Sequence, residues 1–141
     1  MERNLAVAVP RFVRVTAAVL LFASPVIAMQ VRARDPEWVA PAKEAAKANP
    51  LAGRTDAAAG GGKLFRQRCS KCHGADGHGT RKGPNLAHAD VQAQSDGTLF
   101  WKISSGNSHE DMPSFSFLPE PQRWQLVLHV REIGNGSLRE P

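Results

Sequence analysis

The stretch C-S-K-C-H-G, Cys69 to Gly74, decides how this chain folds. Its two cysteines are the only ones among 141 residues, and a histidine directly follows the second. Tyrosine is absent and aromatic residues make up 6% of the chain, so the protein's own core is expected to be thin. A small domain with a thin core usually depends on disulfides, a metal or a cofactor. A Cys69–Cys72 disulfide would close a very short loop and stabilise little. The pattern therefore predicts that something else binds at this motif.

The spacing Cys-x-x-Cys-His is the attachment pattern of haem c. One helical turn separates Cys69 from Cys72, which suits the addition of two thiols to the two vinyl groups of one haem. His73 follows immediately, so its imidazole can reach the iron from the proximal side. The motif predicts one covalently attached haem c, with Cys69 and Cys72 forming thioether bonds and His73 serving as an axial ligand.

Three other uses of this motif explain the sequence less well. A zinc site needs four ligands and usually a second cysteine pair, but the chain has no third cysteine. A thioredoxin-type dithiol belongs in a βαβ context, and no alternating strand pattern is present. A simple disulfide leaves His73 without a role.

The sixth coordination position of the iron is assigned to Met112. This residue lies in a loop between two predicted helices, and Pro113 stiffens the backbone directly after it. A thioether is a soft ligand that raises the reduction potential of haem iron. Two alternatives stay open: Met112 as a filler of the core, and His109, three residues earlier, as a substitute ligand. His78 and His88 are expected to be exposed, and His129, in the last helix, to be packed or half-exposed.

The first 28 residues have the features of an export signal. Three arginines precede a short apolar segment, Val15–Phe22, and Pro25 follows it. We place cleavage after Ala28 and predict a periplasmic protein. The alternative is an uncleaved membrane anchor, although only about 15 mostly apolar residues are available for a span that needs about 20.

Charge and composition narrow the class of partner. The chain carries a formal charge of +5, and without residues 1–28, which contain three arginines and one glutamate, 15 basic and 12 acidic side chains leave +3. This mild excess favours docking to an acidic protein, and no nucleic-acid-binding module is recognisable. Contact with a membrane is expected only if the leader stays attached.

The rest of the chain divides into an arm, a domain and a tail. Residues 29–54, rich in proline and alanine, form an arm or linker in which Trp38 is expected to dock on the domain. Residues 55–136 form the domain, and residues 137–141 form a tail. The domain is predicted to be α-helical, with one helix from Thr55 into Cys69, one capped by Ser95 or Asp96 and ending at Gly106, and one from about Pro121 to Gly134.

Four motifs in order resemble those of the class I cytochromes c. They are CSKCHG, GPNL at Gly83–Leu86, DMPSF at Asp111–Phe115 and RWQLVLHVREI in the last helix, and the resemblance spans about Ala57 to Gly134. It implies an all-α, cytochrome c-like fold of three to five helices with long loops wrapped around a covalently bound haem.

The resemblance also implies roles for individual residues. Pro84 corresponds to the proline whose carbonyl accepts a hydrogen bond from the proximal imidazole, here His73. Gly61 and Phe65 correspond to the glycine and the aromatic residue where the first helix crosses the last. This chain departs from the family by carrying His129 where an aromatic residue is common.

Together these features predict a non-enzymatic, one-electron carrier with a single haem. When His73 and Met112 fill both axial positions, no position is left for a substrate. A haem subunit of a periplasmic dehydrogenase or oxidase complex is the alternative, and an enzyme or gas sensor with a displaceable sixth ligand is a third. Basic residues near the motif are expected either to steer an acidic redox partner or to form an ordinary solvated face: Lys63, Arg66, Arg68, Lys71, Arg81 and Lys82.

Overall fold

The computed structural model describes residues 38–136; the predicted signal peptide and C-terminal tail lie outside them. Within this range the fold is helical and contains no strand, only an isolated pairing of Asn107 with Met112. No helix in the same range is long and apolar enough to cross a membrane. The α-helices are α1 (Ala42–Ala45), α2 (Thr55–Arg68), α3 (Ser70–His73), α4 (Ala89–Gln92), α5 (Asp96–Ser105) and α6 (Glu120–Gly134), with a 3-10 turn at Ser108–Glu110.

The all-α fold class is confirmed, and the three long helices lie where the sequence places them. Residues 38–136 contain six α-helices where three to five were expected, because α1, α3 and α4 are single turns of four residues each. The hydroxyl of Ser95 accepts a hydrogen bond from the Thr98 amide and caps α5 as predicted. α2 begins at Thr55, and no side chain caps its N-terminus.

The crossing of α2 and α6 accounts for the glycines in α2. Each of the three glycines costs about 1 kcal/mol relative to alanine within a helix. A Cβ atom at Gly61 would lie 2.6 Å from the carbonyl carbon of Gln125 and closer still to its oxygen. The backbones of the two helices therefore touch at this point, and no larger residue fits there.

His129 takes the place of the aromatic residue in this crossing. Its side chain is buried, its ring centroid lies 5.1 Å from that of Phe65, and a Cβ atom at Gly62 would lie 3.2 Å from its ring. The packed position predicted for His129 is confirmed. Burial lowers the pKa of His129, and Arg66 adds to the lowering, whereas Glu132, 3.3 Å away, opposes it. Compared with an aromatic residue at this position, His129 still places a flat ring in the crossing but adds a titratable group.

This titratable group makes stability depend on pH. The unfolded chain takes up a proton at His129 near pH 6.5, whereas the folded protein does so only at lower pH. As pH falls through about 6.5 the unfolded state binds more protons, so folding stability decreases until the folded protein is protonated too. We expect His129→Phe to remove this loss, which has a slope of at most about 1.4 kcal/mol per pH unit.

Denaturant midpoints of the haem-loaded protein, measured from about pH 7.5 to pH 5, test this expectation. His88→Gln is the matched control, because His88 is exposed and should leave the profile unchanged. Parallel profiles for the wild type and His129→Phe would show that His129 does not carry the pH dependence.

Residues 38–54 pack on the helices and do not extend away from them. The hydroxyl of Ser95 donates to the Ala45 carbonyl at 2.6 Å, and the side-chain amide of Asn49 donates to the Trp124 carbonyl at 3.2 Å. A Cβ atom at Gly97 would lie 2.8 Å from the carbonyl oxygen of Lys47. This part of the arm is thus held against the start of α5 and the middle of α6.

Two apolar clusters form the core. The first joins α4, α5 and α6, and in it Phe100 stacks on Trp124 with ring centroids 4.0 Å apart. The second cluster consists of Phe65, Phe115, Leu118, Leu126 and Ile133. It connects α2 and α6 with the loop that follows Met112, and so it positions the candidate site.

Candidate functional site

The two cysteines lie at a short break between α2 and α3. α2 ends at Arg68, and the Cys69 carbonyl accepts hydrogen bonds from the amides of Cys72 and His73, both at 3.0 Å. Both thiols are free and partly buried. Gly74 ends α3 with φ at +85°, a conformation that favours glycine. The two cysteines and His73 therefore lie within about one helical turn.

The Cys69 thiol is poorly suited to thiolate chemistry. Burial raises its pKa to about 11, and the neighbouring Cys72 contributes to the rise. Reactive cysteines have lowered pKa values, because the thiolate is the nucleophile. The environment of Cys69 therefore does not favour the thiolate that a redox-active dithiol uses.

The glycine-rich loop after α3 folds back on the motif. The Gly79 amide donates to the His73 carbonyl at 2.7 Å, and the Thr80 hydroxyl donates to the Cys72 carbonyl at 2.5 Å. Gly79 has φ at +88°, and a Cβ atom there would lie 2.7 Å from the Asn85 nitrogen. These bonds hold the end of α3 and bring Pro84 next to it.

His73 is oriented by the Pro84 carbonyl. The Nδ1 atom of His73 lies 3.0 Å from that oxygen. A carbonyl oxygen only accepts hydrogen bonds, so Nδ1 carries the proton in this contact, and in the neutral ring the lone pair is then on Nε2. A neutral imidazole fixed through one nitrogen is the usual arrangement of a metal-ligating histidine. The contact expected between these two residues is present; its effect on an iron ligand is a proposal.

Met112 lies in a compact loop after α5. Its amide donates to the Asn107 carbonyl at 2.9 Å, and its own carbonyl accepts from the Asn107 amide at 2.8 Å. Asp111, just before it, has a left-handed backbone with φ at +55°. The Met112 side chain is half-buried against the second apolar cluster, whereas His109 is exposed. The loop therefore holds Met112 through both its backbone amide and its backbone carbonyl.

The residues around the second apolar cluster fit a flat apolar cofactor. Several apolar side chains from four separate segments pack against the cluster but stay partly exposed: Leu64, Cys69, Leu86, Ala87, Ile103 and Met112. Thiols, an imidazole nitrogen with a lone pair and a thioether are the donors that haem c attachment and ligation use. Among residues 38–136, no three His, Cys, Asp or Glu side chains are grouped as metal ligands.

An open depression of about 730 Å³ borders the loop of Met112. Trp38 forms one wall, and the loop residues from Ser105 to Ser114 form most of the rest. Cys69, Cys72 and His73 do not line it, so the depression is not the space between the motif and Met112. No local pattern predicts that Trp38 lies beside Met112, since 74 positions separate them.

The surface near the motif is basic. An exposed phenylalanine, Phe117, lies there with 65% of its surface accessible, and the Arg68 guanidinium is 5.9 Å from its ring. Asp76 is engaged locally, because its carboxylate accepts a hydrogen bond from the His78 amide at 3.0 Å. His88 is exposed as predicted, and His78 is half-buried, not exposed. All six basic residues singled out in the sequence are exposed: Lys63, Arg66, Arg68, Lys71, Arg81 and Lys82.

Comparisons with known proteins agree on one family. Residues 56–130 match the family model described as cytochrome c oxidase, cbb3-type, subunit III. The solved structure of KustC0563, a c-type cytochrome, is 34% identical over 52% of this chain and 95% of that chain, with a TM-score of 0.47. Cytochrome CL from the marine methylotrophic bacterium Methylophaga aminisulfidivorans is 26% identical over 59% of each chain, with a TM-score of 0.51. A search of curated proteins gave no match.

Proposed function

Because this chain belongs to the cytochrome c family matched above, we propose that it is an exported, one-electron carrier whose iron is bound by His73 and Met112. Family membership makes it a haem c electron-transfer protein. The observation that carries the proposal is the pairing of His73 Nδ1 with the Pro84 carbonyl at 3.0 Å, which leaves Nε2 available.

Each residue of the site has a separate task in this proposal. Cys69 and Cys72 would attach the haem covalently, and His73 and Met112 would be the ligands of its iron. The bound haem supplies an iron that alternates between the ferric and ferrous states. Because Pro84 holds His73 and Asn107 holds the backbone of Met112, neither ligand needs to move when the charge changes. With both positions filled, no substrate reaches the metal, so the proposal excludes an enzyme.

Optical spectra of the haem-loaded protein in both oxidation states test the ligand assignment. Ferric iron bound by methionine sulfur has a weak near-infrared band, and we expect this protein to show it. A spectrum of two nitrogen ligands, or of five-coordinate iron, would contradict the assignment of Met112.

A second candidate function is a haem subunit of a periplasmic oxidase or dehydrogenase complex. The matched family model is described as a subunit of an oxidase, and this favours the alternative. Residues 38–54 lie on the domain surface, where an arm can take part in docking. Size-exclusion chromatography of the protein from its native source separates the two functions, because a free carrier elutes alone and a subunit elutes with its complex.

The basic surface predicts a salt-dependent reaction with an acidic partner. Charge steering weakens as the Debye length shrinks from about 30 Å at 0.01 M to about 8 Å at 0.15 M salt. We expect the second-order rate of electron transfer to an acidic redox protein to fall about tenfold over this range. Replacing both Lys71 and Lys82 with glutamine should flatten the dependence, and stopped-flow kinetics measure it.

The control for this experiment is Lys43→Gln, which removes an exposed lysine of the arm that is distant in sequence from the motif. It should leave the salt dependence unchanged. A rate that does not vary with ionic strength in the wild type would mean that the basic residues form an ordinary solvated face.

A further inference from the structure

The arm makes one directed contact with the loop that carries Met112. The indole Nε1 of Trp38 donates a hydrogen bond to the Gly106 carbonyl at 2.9 Å, across 68 positions of sequence. The Ser105 hydroxyl also lies 3.2 Å from this carbonyl, but its single proton has a closer acceptor in the Trp101 carbonyl at 2.9 Å. Trp38 is therefore the principal donor to Gly106.

Gly106 is the C-terminal cap of α5 and the first residue of the loop. It has φ at +67°, and a Cβ atom there would lie 2.6 Å from the Pro113 carbonyl carbon and 2.7 Å from the Met112 oxygen. Its backbone is thus pressed against the residues that hold the methionine. Asn107, the next residue, is buried and pairs with Met112 through both of its backbone groups. A rotation of the Gly106 peptide would carry Asn107 with it and displace Met112.

Trp38 is itself held from two sides. The Lys102 ammonium lies 4.4 Å from the centre of its ring, at cation–π distance. The rest of the arm is tied to α5 through Ala45 and Ser95, and to α6 through Asn49. These contacts restrain the indole next to the Gly106 carbonyl.

We infer that Trp38 is a positioning residue for the sixth ligand: its hydrogen bond to Gly106 holds the loop so that the Met112 sulfur stays on the iron. This inference rests on the proposed ligation by Met112. It assigns the arm a function in controlling the metal site, in addition to packing. The arm would then set how easily an added ligand displaces the methionine.

Competition by imidazole for the ferric iron of the haem-loaded, full-length protein tests the inference. Trp38→Phe keeps an aromatic ring and removes the donor, so we expect imidazole to bind about fivefold more tightly, the effect of losing one net hydrogen bond. When the pH is raised, the near-infrared sulfur band of Trp38→Phe should also disappear at a lower pH than that of the wild type. Val39→Ala, an exposed neighbour in the arm, should behave as the wild type. Val130→Ala lowers stability in the core and controls for a general loss of stability.

The outcomes separate this inference from the proposed function. A sulfur band in the wild type, with equal imidazole affinity in Trp38→Phe, overturns the positioning role and leaves the ligation intact. Absence of the band in the wild type overturns the ligation by Met112 and the inference with it. An equal gain in affinity in Val130→Ala also overturns the positioning role.

A second measurement tests the inference if Trp38→Phe cannot be obtained with its haem attached. In the carbon monoxide adduct of reduced Met112→Ala, the Trp38 indole proton should exchange with solvent faster than in the reduced wild type, because coupling between two sites is reciprocal. The Trp124 indole, which donates to Glu120 at 3.2 Å, provides the internal control. Unchanged exchange at Trp38 would overturn the inference.

Discussion

Met112→Ala is expected to convert the protein from a closed electron carrier into one that binds carbon monoxide. In the wild type the thioether should block the sixth position, so reduced protein should not bind the gas. Alanine has no donor atom, and the backbone pairing of residues 107 and 112 supplies no ligand in place of the sulfur. We expect rapid, stoichiometric carbon monoxide binding to the reduced variant, seen in the visible spectrum.

The same substitution should lower the reduction potential. A thioether favours ferrous iron, and axial ligands tune haem potentials over about 0.8 V in total. Loss of the methionine is expected to lower the potential by roughly 0.1–0.3 V, a fraction of that range. Redox titration followed in the visible spectrum measures the shift.

His109→Ala is the matched control for both results. His109 lies in the same loop and is the other candidate ligand, but it is exposed. Its loss should change neither gas binding nor potential. If His109→Ala opens the iron to carbon monoxide and Met112→Ala does not, the sixth ligand is the histidine.

Local signals in the sequence were sufficient to predict the helices. α2, α5 and α6 each combine a start or stop signal with apolar spacing, such as Ser95 before α5 and Pro121 in the first turn of α6. The helical turn expected between Cys69 and Cys72 is present as α3, whereas the single turn α4 was missed because four residues give too short a pattern to detect. The attachment motif is also a local signal, because its five residues are contiguous, and it predicted the chemistry of the site.

Contacts between distant segments explain what the sequence did not reveal. Gly61 lies against the backbone of Gln125, and this contact, which no local pattern encodes, explains a glycine inside α2. His129 departs from the aromatic residue that the resemblance implies, yet its flat ring still packs against that of Phe65. The hydrogen bond from Trp38 to Gly106 depends on the path of the arm over α5, which no local pattern encodes.

Replacing Cys69 and Cys72 together with alanine is expected to prevent stable folding of the haem-free chain. Around the second apolar cluster, five side chains besides Cys69 are only partly buried by the protein itself. Burial of apolar surface stabilises a protein by about 25 cal/mol per Å², and a small domain has little of it to spare. Without the thioether bonds the haem is lost, and these side chains face water. We expect low helicity and no cooperative thermal transition by circular dichroism.

Adding free haem to this double variant distinguishes a missing cofactor from a damaged fold. His73 and Met112 are still present, so added haem should restore part of the helicity without a covalent bond. Cys72→Ala alone keeps one thioether and should fold with reduced stability, which controls for the alanine substitutions themselves. A cooperative transition in the haem-free double variant would mean that α2, α5 and α6 form a sufficient core, because the cofactor would then contribute chemistry but not the fold.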